Sequence, residues 1–485
     1  MHTKKSPFNF SSTYLNLPSI FYSLSTPERL DNPELLYLNE DLLKELSIEK
    51  EINQLTEILS GYTTNYELKT YAQAYAGHQF GHFNMLGDGR AILLGEHLTA
   101  NNTRYDLQLK GAGRTNYSRG GDGKATINSM LREYLISEAM HHLNIATSRS
   151  LSLFKSNEPI YRDKIYERGI LCRVMKSHLR VGTFQFAAYF GKENNLENLL
   201  EYTVKRHFPK LIGCENLALS FLEKVMQLQI NLVTDWVRVG FIHGVMNTDN
   251  VSIIGETFDY GPCAFMNSYN PKTVFSSIDV NGRYSFENQP KILMWNIIKL
   301  AESLLPLIDS DTNKAILLAQ DLINKYQPTW ENNFYKMMSN KLGLDFSAIE
   351  SKKIVDELLV IMEANKLDYT NTFTALYFYL LEKDFILKVP SVLNEWRDSW
   401  EKYIKTTKEG VKNALQKMQK NNPVFIPRNH LVEEAILNAT NKNYLLFNKL
   451  LEVYKNPYLY QEKYKEFLYR PINEFENNYQ TFCGT

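Results

Sequence analysis

The hydrophobic pattern of this chain changes its period once, and this change limits the folds that the chain can adopt. Between about residues 65 and 190, short strand-like runs alternate with turns, several of them glycine-rich: Arg90–Glu96, Tyr105–Lys110, Arg149–Phe154 and Gly169–Met175. Beyond about residue 195 the apolar residues follow helical spacing almost throughout, as in Glu215–Val239, Lys291–Leu305, Asn313–Lys325, Ile354–Ala364 and Leu431–Tyr454. The pattern predicts an α+β protein with a small strand-rich lobe followed by a large helical lobe.

Three segments with different patterns follow one another along the chain. We predict an irregular lead-in over residues 1–65 with short helices such as Asn39–Leu46 and Glu51–Ser60, a strand-rich lobe over 66–192 and a helical lobe over 193–485. One helix interrupts the strand-rich lobe at about Thr126–Leu143, where Thr126 is a suitable N-cap. A cleft between two lobes is a common place for a ligand site.

The composition excludes several classes of protein. The 485 residues are 44% hydrophobic and carry 54 basic and 54 acidic side chains, so the chain can bury a large core and has no global field that attracts nucleic acid or an anionic membrane. No stretch approaches the roughly 18 apolar residues of a membrane span, and the polar N-terminus predicts no secretory signal. Four scattered cysteines argue against a disulfide framework or structural zinc. We therefore expect a cytoplasmic protein, and a monomer.

A glycine turn opens the strand-rich lobe. Gly87-Asp88-Gly89-Arg90 follows Gly77 and Gly81 and precedes a strand. Glycine lets backbone N–H groups approach a phosphate closely, because it has no Cβ. Asp-Gly is also a common hairpin turn, so a phosphate-binding turn and an ordinary hairpin both remain open.

A lysine at the end of a strand and a glutamate in the following helix form the second candidate feature. Lys110 ends the strand that begins near Tyr105, and Glu133 lies in the helix at about Thr126–Leu143. Protein kinases hold a lysine ammonium against nucleotide phosphates in this way, whereas two solvated charges that never meet are the alternative. The connection 111–124 carries five glycines and four charged side chains, a pattern that favours a flexible flap over bound phosphate.

A third feature is the basic run that contains Arg173, Lys176 and Arg180. Arginine forks match phosphate oxygens bidentately, so two of them could neutralise an outer phosphate. Three basic residues in a short run are also typical of a solvated face. Both interpretations remain open at this point.

The most informative feature is the run His243-Gly244-Val245-Met246-Asn247-Thr248-Asp249-Asn250, followed by Asp259-Tyr260-Gly261. Kinase catalytic loops read H-R-D-x-x-x-x-N and are followed by D-F-G. In this frame Asn250 and Asp259 match the metal-binding residues, and Val245 replaces the catalytic aspartate. Valine cannot take a proton, so Asp249, the carboxylate inside the loop, is the candidate substitute. An Asx-rich turn without chemistry is the alternative.

Two histidines, His78 and His82, have the spacing of a metal-ligand pair. No glutamate follows the first histidine as zinc proteases require, and no third ligand is near in sequence. We expect no metal there.

Several long segments resemble the selenoprotein-O family of pseudokinases: Tyr75–Arg90, Asp106–Asn128, Arg173–Phe186, His243–Pro262 and Asn422–Ile436. Phe8–Tyr22 resembles the start of that family, so the likeness covers essentially the whole chain. The resemblance implies a protein-kinase-like two-lobed fold that binds ATP in a flipped orientation. It also implies transfer of AMP, rather than the γ-phosphate, to hydroxyl groups of protein side chains.

The resemblance also implies roles for individual residues. Asp249 would accept the hydroxyl proton, Glu133 would pair with Lys110, and Asn250 and Asp259 would hold Mg²⁺. The nucleotide contacts that it implies are Gly87, Gly89, Arg90, Lys110, Asp122, Gly123, Arg173, Arg180 and Asp259. Open alternatives are UMP transfer with Mn²⁺, a kinase with a displaced base, and a non-catalytic nucleotide-binding scaffold.

The chain departs from the family in its cysteines. Parts of the family carry a selenocysteine or a cysteine pair near the C-terminus, whereas this sequence has the single Cys483 there. We interpret Cys483 as an unpaired thiol in a mobile tail, although pairing with Cys172, Cys214 or Cys263 stays open.

Overall fold

A computed structural model describes residues 5–49, 51–79, 82–192, 194–406 and 410–482. Its strands are β1 (Tyr22–Leu24), β2 (Glu34–Leu38), β3 (Tyr71–Gln73), β4 (Ala76–Gln79), β5 (His82–Met85), β6 (Ala91–Leu98), β7 (Arg104–Lys110), β8 (Ala125–Thr126), β9 (Arg149–Tyr161), β10 (Ile165–Met175), β11 (Phe241–Ile242) and β12 (Ala264–Phe265). The main sheet is antiparallel with the order β1-β3-β6-β7-β10-β9-β2, and β8 pairs with β10. The pairs β4–β5 and β11–β12 form two small separate sheets.

The helices lie mostly after the main sheet. They are α1 (Glu40–Glu45), α2 (Ile52–Leu59), α3 (Ile127–His142), α4 (Val181–Phe190), α5 (Asn195–His207), α6 (Leu217–Val239), α7 (Gln289–Ile308), α8 (Thr312–Ile323), α9 (Tyr326–Leu342), α10 (Ile349–Ala364), α11 (Tyr369–Leu380), α12 (Asn394–Thr406), α13 (Gly410–Asn421), α14 (Asn429–Thr440), α15 (Leu445–Tyr454) and α16 (Asn473–Asn478). Short 3-10 helices include Thr13–Asn16 and Thr248–Asn250. The predicted α+β class, with strands first and helices after, is confirmed.

The predicted single helix over Leu431–Tyr454 is wrong, because the chain breaks between α14 and α15. Lys442 adopts a left-handed φ of 63°, and the Asn443 N–H donates to the Asn438 carbonyl at 2.9 Å. This hydrogen bond satisfies a carbonyl group in the last turn of α14, and the helix ends there. The apolar spacing continues through the break, and for that reason periodicity alone missed it.

The first 65 residues contribute more than the predicted short helices. α1 and α2 are present as expected, but β1 and β2 lie at the two edges of the main sheet, β1 on β3 and β2 on β9. These strands have only 3 and 5 residues, and their partners lie far along the chain. Local pattern could not reveal them. The division of the chain into 1–65, 66–192 and 193–485 stays a prediction.

The helix α3 packs across the main sheet and joins it to the helical part of the chain. Thr126 caps it by accepting a hydrogen bond from the Ser129 N–H at 3.4 Å, as the sequence predicted. Leu131 and Leu135, both fully buried, lie in one continuous core with residues of α4, α6 and α7. A second core lies under α9 to α13. No helix in the described ranges is long and apolar enough to cross a membrane.

The buried face of α3 should dominate its contribution to stability. We expect Leu131→Ala to lower the free energy of unfolding by about 2–5 kcal/mol, because a 0% exposed side chain leaves a cavity in the core. The same change at Leu317 on α8, which is 66% exposed, should alter it by less than about 0.5 kcal/mol. Urea denaturation midpoints would measure both. Equal effects at the two positions would contradict this description of the core.

Candidate functional site

Four charged side chains meet where the strand-rich and helical parts of the chain adjoin. Lys110 ends β7, Glu133 lies on α3, Arg173 lies on β10, and Asp259 follows the catalytic-like loop. Lys110 Nζ lies 2.6 Å from Glu133 Oε2, and Arg173 Nη2 lies 2.6 Å from Glu133 Oε1. Both cations also contact Asp259 Oδ1, Arg173 at 3.3 Å. We call these four residues the charge cluster.

The register of the sheet explains why the two cations converge. Lys110 lies opposite Leu171, and Gln108 lies opposite Arg173. Side chains two residues apart along a strand share one face, so Lys110 and Arg173 lie on the same face of neighbouring strands. α3 crosses that face and carries Glu133, whose side chain is 2% exposed.

The pKa values follow from this balance of two cations and two carboxylates. Burial alone would raise the pKa of Glu133, but Arg173 and Lys110 outweigh it and hold the pKa below its usual range. In the same way, Lys110 and Arg173 overcome burial at Asp259 and hold its pKa well below its usual range. Both carboxylates are therefore ionised at neutral pH. The Asp259 side chain remains 35% exposed, so it is open to a ligand.

The backbone around Asp259 is shaped by its neighbours. Asp259 has a left-handed φ of 67°, which non-glycine residues seldom adopt and which often marks a functional position. His243, the first residue of the catalytic-like loop, contacts the Phe258 carbonyl through Nε2 at 3.1 Å. His243 thus ties the loop to the segment that carries Asp259. Val245 in this loop is buried and 7% exposed.

Arg180 lies between the Asp249 backbone and Phe258, the residue that precedes Asp259. One Nη atom donates to the Asp249 carbonyl at 3.1 Å, and the other lies 3.6 Å from Asp88 Oδ1. The guanidinium stacks 3.9 Å from the Tyr75 ring and 5.0 Å from the Phe258 ring. Burial raises the pKa of Tyr75, Arg180 opposes this rise, and Asp88, Asp249 and Asp259 add to it. The three carboxylates therefore all lie near enough to Tyr75 to act on its phenol.

Asp249 lies close against the first strand of the β4–β5 hairpin. A Cβ atom on Gly77 would lie 2.5 Å from Asp249 Oδ1, so only glycine fits there. The next residue, His78, donates its backbone N–H to Thr248 Oγ1 at 2.9 Å. The hairpin thus sets the position of the turn Thr248–Asn250, and the Asp249 residue is 8% exposed.

The glycine turn and the loop that follows β7 are joined to each other. Gly87 has a φ of +123°, and the Tyr117 ring fills the space that a Cβ would need. Thr115 Oγ1 donates to the Asp88 carbonyl at 2.6 Å, and Ser118 donates to the Gly89 carbonyl. The loop is therefore held to the turn by its own hydrogen bonds, which differs from a free flap.

The structure brings some of the remaining predicted residues to the charge cluster and leaves others apart. Arg90 is near enough to Asp259 to lower its pKa. Asp122 is partly exposed, and Arg162 contacts its carboxylate at 2.9 Å. Gly123 packs against the Gly113 carbonyl. Lys176, the residue after β10, is exposed, whereas Arg173 and Arg180 are buried, so the basic run has both a buried and a solvated part.

The donor set fits a magnesium ion. Asn250 and Asp259 offer hard oxygen ligands, and Mg²⁺ sites use one or two protein carboxylates together with substrate phosphates. Among the described residues both contacts to the Asp259 carboxylate involve Oδ1, which leaves Oδ2 for a cation. Arg180 contacts Asp249 and Phe258, which immediately precede Asn250 and Asp259 in the chain.

The histidines of the β4–β5 hairpin have other contacts. His78 Nδ1 lies 2.9 Å from Gln185 Nε2, and burial lowers the pKa of this histidine. In the hairpin, His78 lies opposite Phe83 and His82 lies opposite Gln79. Residues four apart share a face in a helix, and this relation does not hold in a hairpin. The part of the chain that the structure describes contains no group of three or more His, Cys, Asp or Glu suited to a metal.

Arg132 anchors α3 to the segment after Asp259. Its Nε donates to the Gly261 carbonyl at 3.1 Å, and its Nη2 donates to the Cys263 carbonyl at 2.6 Å. Its Nη1 pairs with Glu433 on α14 at 2.7 Å. One side chain thus joins three separate parts of the fold.

The three cysteines that the structure describes do not belong to the charge cluster. Cys172 and Cys263 are buried and Cys214 is exposed, and all three are free thiols. Cys483 lies outside the described residues, so the prediction made for it has no structural counterpart. Just before it, Thr481 donates its hydroxyl to the Pro262 carbonyl at 2.7 Å.

Sequence reasoning missed three residues of this site. Tyr75 stacks on Arg180, Gly77 leaves room for Asp249, and Asp88 pairs with Arg180. Gly77 and Asp88 lay inside runs that were singled out for their glycines, but their partners are more than 90 residues away. No local signal could have indicated them.

Comparisons with known proteins agree with these observations. A sequence profile described as "Protein adenylyltransferase SelO" matches residues 5–455. A protein named "Protein nucleotidyltransferase YdiU" from Pelagibacter ubique (strain HTCC1062) is 47% identical over 99% of both chains. One of the same name from Bacillus mycoides (strain KBAB4) is 46% identical over 99% of this chain and 98% of its own. A Toxoplasma gondii rhoptry antigen kinase domain covers 53% of this chain and 88% of its own at 13% identity and a TM-score of 0.23, which is too low to bear on the fold.

A further carboxylate, Glu256, lies beside the segment that follows β10. The Lys176 backbone N–H donates to its Oε2 at 3.2 Å. Burial raises the pKa of Glu256 to about 7, and Lys176 offsets this only in part. The folded protein therefore holds a proton there that the unfolded chain releases at lower pH.

This proton makes stability depend on pH. Between the ordinary pKa of 4.5 and about 7, the free energy of unfolding should fall as pH rises, because the folded state binds more protons than the unfolded state. We expect Glu256→Gln to make this fall in the free energy of unfolding smaller by about 2 kcal/mol. Denaturation midpoints at about pH 5 and pH 8 would measure it, with Glu223→Gln on an exposed carboxylate as the matched control. An unchanged pH dependence in Glu256→Gln would contradict the raised pKa.

Proposed function

The chain belongs to the SelO family and is a nucleotidyltransferase, and from this premise we propose that it transfers AMP from Mg-ATP to Ser, Thr or Tyr hydroxyl groups of proteins. The proposal keeps the site residues inferred from the sequence. The nucleotide contacts are Gly87, Gly89, Arg90, Lys110, Asp122, Gly123, Arg173, Arg180 and Asp259.

Two features support the proposal: the charge cluster is retained, and the usual kinase base is replaced. The charge cluster of Lys110, Glu133, Arg173 and Asp259 keeps cations ready for phosphate oxygens and an ionised carboxylate ready for a metal. The position of the usual kinase base is occupied by Val245. A site that binds a metal-bound nucleotide, yet lacks this base, supports chemistry at a phosphate other than the γ-phosphate.

In this proposal the basic residues stabilise charge during transfer. Lys110, Arg173 and Arg180 hold phosphate oxygens and neutralise the charge that develops as the leaving group departs. Asn250 and Asp259 would hold Mg²⁺, which supplies Lewis-acid stabilisation of the phosphates when bound.

Asp249 is proposed as the group that takes the proton. The acceptor hydroxyl oxygen attacks the α-phosphorus, its proton passes to the Asp249 carboxylate, and the bond between the α-phosphorus and the bridging oxygen breaks. Pyrophosphate leaves with the bonding electron pair. Asp249 suits this role because Gly77 and Thr248 set its position next to Arg180.

The proposed partners follow from the same chemistry. The substrates are ATP and proteins that present a hydroxyl side chain. With equal numbers of acidic and basic side chains, the chain offers no global field for nucleic acid or an anionic membrane, and we propose a cytoplasmic monomer.

Labelled nucleotides separate the proposal from its rivals. Incubation with Mg²⁺ and α-labelled ATP should label a protein acceptor or the enzyme itself, and γ-labelled ATP should not. Mass spectrometry should find one AMP unit per modified hydroxyl, and a chelator should abolish transfer. Transfer from the γ position would mean a kinase. Transfer from α-labelled UTP with Mn²⁺, and not from ATP, would replace AMP by UMP, and no covalent product with any nucleotide would mean a scaffold.

The position of Asp249 gives a sharper test. Gly77→Ala should lower the transfer rate by about 10-fold or more while ATP still binds, because the new Cβ would displace the Asp249 carboxylate. Asp249→Asn should lower the rate by about 10²–10⁴-fold, also with ATP bound. Rates and ATP affinities would be measured on the same preparations. Full activity in Asp249→Asn would exclude Asp249 as the base.

A further inference from the structure

A cavity of about 950 Å³ lies at the opposite end of β7 from the charge cluster. Its wall includes Arg104, which begins β7, whereas Lys110 ends that strand. Six residue steps along a strand span about 20 Å, so this cavity is separate from the nucleotide cleft. Its volume is typical of small-molecule sites. We call it the basic cavity.

The basic cavity is rich in cations. Arg104, Lys176, Lys205 and Arg206 line it, and Glu201 is a carboxylate in the same wall. Arg104 and Arg206 are held from behind by Glu96, at 3.2 Å and 3.4 Å. Lys176 and Lys205 are exposed, and neither forms a direct ion pair with any residue in the described ranges, although Lys176 is close enough to Glu256 to lower the pKa of that carboxyl.

Arg206 is the fixed element of this wall. Its side chain is 7% exposed and lies between Glu96 and Asp106, and one Nη donates to the Tyr202 hydroxyl at 2.8 Å. Its Nε and the Nε2 of His207 are buried and have no hydrogen-bond partner among the described residues. Buried polar atoms without partners are uncommon and point to a missing ligand or water. Burial lowers the pKa of His207 to about 3, so its ring is neutral and can still donate one hydrogen bond.

The rest of the wall has a different character. Leu17, Pro18 and Leu98 provide apolar surface beside the Tyr202 ring. A site that combines two exposed lysines, a fixed arginine and apolar surface suits a molecule with an anionic end and an apolar body.

We propose that the basic cavity is a second binding site, for a small molecule that carries a phosphate group. Lys176 and Lys205 contact the phosphate as mobile ammonium groups. Arg206 and His207 offer the buried donors. Leu17, Pro18 and Leu98 contact the organic part.

The fold also connects this cavity to the nucleotide cleft. Arg206 and His178 share Asp106, which takes one Arg206 Nη at 2.5 Å and the His178 backbone N–H at 2.9 Å. The His178 carbonyl accepts from Arg180 Nε at 3.2 Å, and Arg180 contacts the Asp249 carbonyl. A ligand that contacts Arg206 therefore alters the charge balance of Asp106. This regulatory part of the inference rests on the proposed function, whereas the binding site does not.

Calorimetric titration of the full-length, nucleotide-free protein tests the binding site. Inorganic phosphate and phenyl phosphate should both bind, and Lys176→Ala with Lys205→Ala should weaken both by at least about 10-fold. The matched control is Lys210→Ala with Lys224→Ala, which removes the same charge from exposed lysines outside the cavity and should bind as the wild type does. Tighter binding of phenyl phosphate than of phosphate would identify a phosphorylated organic molecule, and equal binding would identify free phosphate.

An Arg180→Ala variant distinguishes the basic cavity from the nucleotide cleft. Arg180→Ala should retain the titration, because Arg180 lies in the nucleotide cleft. Loss of binding in Arg180→Ala but not in the double lysine variant would place the phosphate in the cleft and overturn the proposal. So would absence of binding in the wild type, or equal affinity in the two double variants. If the chain transfers AMP, phenyl phosphate should change the transfer rate of the wild type and of the control variant. The rate of the Lys176/Lys205 variant should not change. Binding and transfer are thus measured separately, so failure of one can be told from failure of the other.

Discussion

The site depends on the sharing of two buried cations between two carboxylates. Lys110 and Arg173 lie on neighbouring strands of the main sheet. Both contact Glu133, which lies on a helix, and Asp259, which lies in a loop. Removing any one partner would leave an uncompensated charge in a poorly solvated place, which is costly. The strand-rich and helical parts of the chain are therefore coupled through electrostatics as well as through their common core.

Around this cluster, small residues and aromatic rings help to position the residues of the site, together with the pairing of Arg180 with Asp88. Gly77 allows the hairpin to approach Asp249, and the Arg180 guanidinium packs against the rings of Tyr75 and Phe258. These contacts need close approach, so their geometry depends on accurate packing. The loop beyond β7 adds a cover that its own hydrogen bonds attach to the glycine turn.

Much of this could be predicted from the sequence, because the relevant signals are local. The strand that ends at Lys110, the cap of α3 at Thr126 and the run from His243 to Asn250 are each read within a few residues. What escaped prediction depends on distant partners. The edge strands β1 and β2, the pairing of Asp122 with Arg162 and the stacking of Tyr75 on Arg180 join residues that are far apart in the chain. The break at Lys442 escaped for another reason, because the apolar period continues through it while the backbone does not.

The anchoring of α3 by Arg132 has a consequence for control of the enzyme. Kinases of ordinary type are often switched off by swinging the corresponding helix outward, which separates its glutamate from the strand lysine. Here an outward swing would strip Arg132 from the carbonyls of Gly261 and Cys263 and from Glu433 in one movement. Rotation of this helix therefore costs these three contacts in addition to the Lys110–Glu133 pair, so they stabilise the engaged conformation.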